Sequence, residues 1–212
     1  MDEAASGRRL LVSGRAVARY WGVHHALVAQ AQRAGLLDWH VVPRPGATDA
    51  VAEQGYDAER VLELGRRPPV DPADLVAFEE RSVLLVQQTS IHRTTPENYD
   101  WSWRSAYGWH TTMDPGEALL SASGWWSVDA GRQRGVQAIV SAVSGFVVTV
   151  AVVDRDQEPQ EHPDGRVRFS VAPADDSTPL GRHLLRVFEG RRVPVRKGVS
   201  RLVPRSGSAP LG

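Results

Sequence analysis

Large aromatic side chains are concentrated in one part of this chain. Five of its seven tryptophans lie within 26 residues, namely Trp101, Trp103, Trp109, Trp125 and Trp126. An aromatic face can stack on an exposed nucleobase, or enclose a modified or flipped base, and each stacked base contributes about 1–3 kcal/mol. The same rings could instead fill and cover a small β-rich domain. Both alternatives stay open, and we treat the five rings as candidate base or ligand contacts.

A run of polar side chains follows an apolar segment, residues 82–88, that we predict as a buried strand. Gln88 and Ser90 carry amide and hydroxyl groups, which suit hydrogen bonds to base edges or phosphates when a rigid strand holds them. A solvated loop is the simpler alternative. His92 and His110 could act as acid–base groups near neutral pH, but no fixed spacing links either one to a partner.

The spacing of small and apolar residues between Arg15 and Leu37 is typical of a helix-turn-helix. Ala18, Gly22 and Val28 stand four and then six residues apart. Ala18 allows the second helix to approach closely, Gly22 relieves the tight turn, and Val28 packs the second helix onto the first. The other places that must be apolar in two crossed helices hold Val17, Trp21, Val23 and Ala31. An amphipathic hairpin that contacts only its own core is the alternative.

The second helix of such a motif, here His24 to Ala34, would lie in the major groove of DNA. Glutamine can pair there with adenine and arginine with guanine. The positions expected to face outward are His24, His25, Ala26, Ala29, Gln30 and Arg33. We predict DNA contacts for the two histidines, the glutamine and the arginine. Adjacent residues on a helix point about 100° apart, so the histidines suit phosphate or water better than one shared metal.

The segment after the second helix resembles the winged helix-turn-helix of the MerR and excisionase type. Trp39 to Val42 reads as a strand, a second strand leads up to Tyr56, and Asp57 is expected to cap a helix over residues 58–64. In that family a wing hairpin follows the recognition helix, and an aromatic residue leads into another helix. The resemblance implies a DNA-contacting wing from Pro43 to Gln54, in which Arg44 is the one basic residue.

Charge is unevenly distributed, although the formal net charge is zero. Nine acids and three arginines lie from Asp49 to Glu80, whereas eight basic residues and one acid lie from Arg182 to Arg205. Such asymmetry permits local binding to phosphate. The candidate phosphate contacts are Arg191, Arg192, Arg196 and Lys197. A solvated basic tail is the competing interpretation.

A proline-rich segment, Arg66 to Asp74, is the candidate linker between two domains. We predict an α+β protein with a winged helix-turn-helix domain over residues 1–66, a β-rich domain over residues 75–205 and a disordered tail over residues 206–212. The β-rich domain would contain a hairpin of two strands, Val136 to Val143 and Phe146 to Val153. Residues 202–206 also resemble an engineered protease-cleavage linker, so the native character of the tail stays open.

The pattern of the second domain resembles the PUA-like group of small β-barrels. It consists of a tryptophan-containing strand at 124–128, the hairpin at 136–153 with glycine at its bend, an Asp-Gly-Arg-x-x-Phe strand at 164–169 and a closing Gly-x-x-Val at 190–193. That group includes readers of modified or flipped bases. The resemblance therefore implies that the tryptophans enclose a modified or flipped base, and Gln88 and Ser90 are the further candidate contacts, by their place after the predicted strand.

Several classes of function lack their sequence signals. The chain has no cysteine, which excludes disulfides, thiolate nucleophiles and cysteine-based zinc sites. No run of about 18 apolar residues and no secretion signal is found, so we expect no membrane span and a cytoplasmic protein. Metalloprotease, Walker, dinucleotide-binding and serine-hydrolase motifs are missing, so we predict no catalytic residue, cofactor or metal site.

Taken together, these patterns favour a DNA-binding protein, a regulator or defence protein of bacterial type, with double-stranded DNA as its partner. The main alternative is a nucleic-acid enzyme, either a restriction-associated nuclease or a base-flipping glycosylase, with the same N-terminal docking device. A third class is a pure interaction protein whose aromatic face binds another protein. A homodimer stays open, although no heptad pattern is long enough to supply its interface.

Overall fold

The computed structural model describes residues 10–43, 52–71, 73–74, 82–93, 106–195 and 201–202. Helices and strands are both present, so the chain belongs to the α+β class that the sequence predicted. It divides into two compact units, Met1–Arg66 and Arg67–Gly212.

The described part of the first unit consists of short strands and helices. They are β1 (Leu11–Val12), α1 (Gly14–Trp21), α2 (His25–Arg33), β2 (Trp39–Pro43), β3 (Ala52–Asp57) and α3 (Ala58–Arg66). The strands form an antiparallel sheet in the order β1-β3-β2. Strand β3 approaches β1 closely at Gly55. A Cβ there would lie 2.7 Å from the carbonyl oxygen of Val12, so this position requires glycine. Both predicted hairpin strands are present, whereas β1 was not predicted.

A glycine in the left-handed conformation separates α1 from α2. Ser13 caps α1, since its Oγ accepts a hydrogen bond of 3.3 Å from the N–H of Ala16. The helix ends at Gly22, whose φ of 66° favours glycine. His24 then caps α2, since its Nδ1 accepts a hydrogen bond of 3.3 Å from the N–H of Ala26. The predicted helix from His24 to Ala34 is therefore confirmed, with its two end residues as caps.

The crossing of α1 and α2 is apolar, as the spacing predicted. Ala18 and Val28 are buried, and so are three of the other predicted positions, Val17, Trp21 and Ala31. The indole N–H of Trp21 donates a 3.1 Å hydrogen bond to the carbonyl oxygen of Val61, which ties α1 to α3. Asp57 caps α3 as predicted, because its Oδ1 accepts hydrogen bonds of 2.8 and 3.1 Å from two N–H groups of the first turn.

The second unit is built around a mixed sheet of five strands in the order β11-β8-β7-β4-β12. Strands β4 and β7 are parallel, and the other neighbours in this sheet are antiparallel. The described elements are β4 (Ser82–Gln87), β5 (His92–Arg93), β6 (Ala106–Tyr107), α4 (Pro115–Ala122), β7 (Val136–Val143), β8 (Phe146–Val153), β9 (Gln160–Glu161), β10 (Val167–Arg168), β11 (Val171–Pro173), α5 (Pro179–Phe188) and β12 (Arg201–Leu202). The predicted hairpin is present with the predicted bounds, and its bend holds Ser144 and Gly145 at φ of 53° and 88°.

Apolar side chains cover both faces of the main sheet. On one face, α5 packs its buried residues Leu184, Val187 and Phe188 against the strands. On the other face, Phe169 and Val167 pack with Val128 and the half-buried Trp126. Burial on both faces explains why the central strands are almost continuously apolar.

Two predicted strands of the second unit are wrong. Residues 124–128 do not form a strand, and Trp126 makes only an isolated bridge to Val167. The strand predicted at 164–169 is limited to Val167–Arg168, because the chain then leaves one sheet and joins another at Val171. Strand β10 pairs with β9, whereas β11 pairs with β8.

The proline-rich segment that was predicted as a linker is packed into the second unit. The N–H of Val70 donates a 2.8 Å hydrogen bond to the carbonyl oxygen of Arg192, and the N–H of Arg192 donates a 2.9 Å hydrogen bond to that of Pro68. Val70 is buried in the core that lies under α5.

We expect Gly22→Ala to lower the free energy of unfolding by about 1 kcal/mol. The left-handed conformation strains alanine in the folded chain, and this cost exceeds the stabilisation from the lower entropy of the unfolded chain. Apart from its two chain neighbours, no described residue places an atom within 4 Å of the position that a Cβ would take, so steric overlap adds nothing. Urea unfolding of the full chain, followed by circular dichroism, measures the change. Gly22→Asn is the matched control and should cost less, since asparagine tolerates this conformation. Equal stability of all three proteins would contradict the turn geometry.

Candidate nucleic-acid interface

One face of α2 is exposed and polar, and the opposite face is buried. The residues predicted to face outward are all exposed or half-buried, namely His24, His25, Ala26, Ala29, Gln30 and Arg33. Val28 and Ala31 on the other side are 1% and 0% exposed. The predicted orientation of the helix is confirmed, and the face presents an imidazole, an amide and a guanidinium in sequence along about two helical turns.

The two histidines at the start of α2 do not have the geometry that was predicted for them. His24 precedes the helix as its cap, and its ring centroid lies 4.1 Å from that of His25. The prediction that the side chains diverge along a helix is therefore wrong, because the cap residue is in the extended conformation. In the part of the chain that the structure describes, no group of three His, Cys, Asp or Glu side chains is placed to hold a metal ion.

A groove of about 580 Å³ lies beside the exposed face of α2. It is lined by the start of α1, one side of α2 and two aromatic residues of the sheet: Ser13, Gly14, Arg15, His25, Val28, Ala29, Trp39 and Tyr56. Trp39 is 42% exposed and contacts the ring of Tyr56 edge-on, with centroids 5.0 Å apart. We name this feature the Trp39 groove.

Tyr56 lines the Trp39 groove and links the sheet to α2. Its hydroxyl donates a 2.9 Å hydrogen bond to Oε1 of Gln32 on α2. Burial raises the pKa of Tyr56, so the phenol stays protonated and keeps donating across the neutral range. This hydrogen bond fixes the distance between α2 and the sheet.

Arg15 and Trp39 line the groove but were not predicted as site residues. A signal for Trp39 was present, because a tryptophan and Val41 alternate in a predicted strand and so share one face. Both are exposed on β2, which is an edge strand of the described sheet. The tip of the predicted wing, including Arg44, lies outside the described residues.

The predicted basic pairs near the C-terminus do not form one exposed patch among the described residues. Arg191 and Arg192 are both half-buried. The guanidinium carbon of Arg192 lies 5.6 Å from the ring centroid of Phe146, so this side chain packs against the end of β8. Arg196 and Lys197 lie outside the described residues. A phosphate contact by these four residues stays a prediction.

In the second unit, the structure brings Gln88, Ser90 and Trp109 together at the end of β4. Gln88 and Ser90 are 3% and 6% exposed, so a solvated loop is excluded for these two residues. The side-chain amide of Gln88 donates a 3.3 Å hydrogen bond to Oγ of Ser121 on α4. The backbone N–H of Trp109 donates a 3.0 Å hydrogen bond to the carbonyl oxygen of Thr89, which precedes Ser90. Ser121 in turn donates to the carbonyl oxygen of Gly108.

The adjacent residues Trp125 and Trp126 have different environments. The indole N–H of Trp126 donates a 2.8 Å hydrogen bond to the carbonyl oxygen of Ala122, and its ring packs on the sheet. Trp125 is half-buried, its ring centroid lies 5.2 Å from that of His162, and its buried indole N–H has no hydrogen-bond partner among the described residues. Trp101 and Trp103 lie outside the described part of the chain.

A charged turn supports the ring of His162. Nδ1 of His162 lies 2.7 Å from Oδ1 of Asp164, and the guanidinium of Arg166 donates a 2.7 Å hydrogen bond to Oδ2 of the same carboxylate. The hydrogen bond from Arg166 is the main reason that the pKa of Asp164 lies well below its usual range, and His162 acts in the same direction. The turn therefore holds an ionised carboxylate beside His162.

None of the described helices combines the length and the apolar character that a membrane crossing requires. Comparison of the chain with protein-family models, with characterised proteins and with solved structures gave no match.

The turn at Asp164 makes stability depend on pH in a defined direction. Because the pKa of this carboxyl is lower in the folded chain than in the unfolded chain, its contribution is present above the ordinary aspartate pKa of about 3.9 and is lost as the pH falls through the folded value. We expect Asp164→Asn to lower Tm slightly at pH 7, and the curves of variant and wild type to converge on acidification. Asp156→Asn, which removes another exposed aspartate, is the control. A Tm difference between Asp164→Asn and wild type that stays constant with pH would contradict the lowered pKa of Asp164.

Proposed function

We propose that this chain is a DNA-binding protein whose α2 docks in the major groove. The observation that carries the proposal is the exposed face of α2, on which Gln30 and Arg33 lie away from the buried Val28 and Ala31 and the exposed His25 lies at one edge. An α-helix fits the major groove, and glutamine and arginine are suited to reading adenine and guanine there. The apolar face packs on α1, so the polar face is the one available to a partner.

The order of elements in the first unit supports a winged helix-turn-helix of the MerR and excisionase type. Two helices cross at Gly22, a hairpin of β2 and β3 follows the second helix, and Tyr56 leads into α3. In this proposal α2 is the recognition helix and the hairpin is the wing. Double-stranded DNA is the partner.

We expect Gln30→Ala and Arg33→Ala each to weaken sequence-specific binding by about 1–3 kcal/mol if the side chain makes a bidentate base contact. Fluorescence anisotropy on a duplex selected from random DNA, set against an unrelated duplex, measures the loss of preference. Arg66→Ala is the matched control, because it removes an exposed charge from the end of α3 and leaves α2 unchanged. Unchanged affinity in both α2 variants, with folding intact, would refute the docking mode.

For the second unit we propose a site that reads a base or a similar planar ligand beside Trp125. A buried N–H without a partner is uncommon in folded proteins, and a bound acceptor would satisfy it. Tryptophan rings can stack on bases and hydrogen-bond to them at their edges. The likeness to PUA-like barrels belongs to the same proposal and is supported by the observed β7–β8 hairpin with Gly145 at its bend.

The adjacent tryptophans provide a matched pair of variants. We expect Trp125→Phe to weaken binding to a base-modified duplex about fivefold, since one hydrogen bond is worth about 1 kcal/mol. Trp126→Phe should leave binding unchanged and lower Tm, because it removes the hydrogen bond to Ala122. Equal effects of the two variants on binding would contradict a role for the Trp125 N–H.

Incubation of the protein with modified and unmodified duplexes, with and without Mg²⁺, tests the enzymatic alternative. Intact DNA is the result expected for a binding protein. Loss of a base or of strand continuity would instead support the glycosylase or nuclease.

A further inference from the structure

The Trp39 groove lies next to the proposed recognition face and is continuous with it. His25 and Ala29 belong both to the exposed face of α2 and to the lining of the groove. A partner that covers the recognition face therefore also reaches the groove. The partner must therefore be large enough to contact the Trp39 groove while its base edges contact α2.

The lining of the groove combines positive charge with apolar surface. Arg15 supplies a permanent positive charge, and His25 adds a nitrogen donor in either protonation state. Among the eight lining residues, all of which the structure describes, none is acidic. Val28, Ala29 and the exposed part of Trp39 supply the apolar part.

An occupant that suits this lining must carry a negative charge and a compact apolar group close together. The sugar–phosphate backbone of DNA has this composition, because each phosphate is flanked by a deoxyribose ring. Backbone contacts fix the register of a protein on a duplex without reading its sequence. Base faces are stacked inside a duplex, and thymine methyl groups lie in the major groove that α2 would occupy, so the deoxyribose is the apolar group that adjoins each phosphate.

We propose that the Trp39 groove holds the backbone of one DNA strand beside the major groove, with Arg15 on a phosphate and Trp39 against the adjoining deoxyribose. This inference rests on the proposed docking of α2 and adds a sequence-independent anchor to it. Trp39 determines affinity, whereas the outer residues of α2 determine preference among sequences.

The test uses the full chain and two duplexes of unrelated sequence, with affinity measured by anisotropy over a salt series. We expect Trp39→Ala to weaken binding to both duplexes equally, about tenfold, since a tryptophan buries a large apolar area on contact. Val41→Ala is the matched control, because Val41 is exposed on the same strand but does not line the groove. It should change affinity less than twofold.

Arg15→Gln provides a second variant that does not depend on the contact between Trp39 and Tyr56. Removal of one phosphate contact should reduce the slope of log affinity against log salt by about one. Trp39→Ala should leave this slope unchanged, because it removes no charge. An unchanged slope in Arg15→Gln, together with a Trp39→Ala protein that binds like Val41→Ala, would overturn the inference.

Further outcomes separate this inference from the proposed function. If Arg33→Ala abolishes sequence preference while Trp39→Ala and Arg15→Gln bind normally, the inference fails and the docking of α2 stands. If the wild-type chain binds neither duplex, both fail. If polyglutamate competes for the groove as well as duplex DNA does, the occupant is an acidic protein segment and the inference is overturned.

Discussion

The crossing of α1 and α2 is the packing interaction on which the first unit depends. Helix α2 has nine residues, and an isolated helix shorter than about 12–15 residues is marginal in water. Its stability must therefore come from burying Val28 and Ala31 against α1. The small side chain of Ala18 permits that contact, and Gly22 turns the chain within it. The same packing leaves the polar face of α2 exposed, so one interaction both stabilises the helix and presents the face that we propose binds DNA.

Local features of the fold were predictable because their causes lie within a few residues. A glycine with positive φ, a capping aspartate such as Asp57 and the bend at Gly145 are each visible in a short window of sequence. The outward positions of α2 followed from helical periodicity once its start was known. The contact between the His24 and His25 rings was not predictable, because it depends on the extended conformation of the cap.

Features that depend on distant parts of the chain were not predictable. Strand β4 pairs in parallel with β7, and the intervening chain gives no local sign of that choice. The surroundings of Arg192 also depend on distant residues, because bridges to Pro69 and Phe146 hold its backbone and its guanidinium lies over the ring of Phe146. Similarly, Trp39 lines a groove only because β2 is an edge strand, and edge position is a property of the sheet as a whole.

The two adjacent tryptophans show most directly how tertiary structure assigns a role. Composition marked both as candidate ligand contacts, and their intrinsic chemistry is identical. The end of α4 offers a carbonyl oxygen to Trp126, so that the ring is fixed between helix and sheet and its polar atom is satisfied within the fold. Trp125 faces His162, whose position depends on a carboxylate and a guanidinium in a turn far along the chain. A ring whose N–H is buried without a partner in the described structure can gain a hydrogen bond from a ligand, whereas Trp126 would have to give one up.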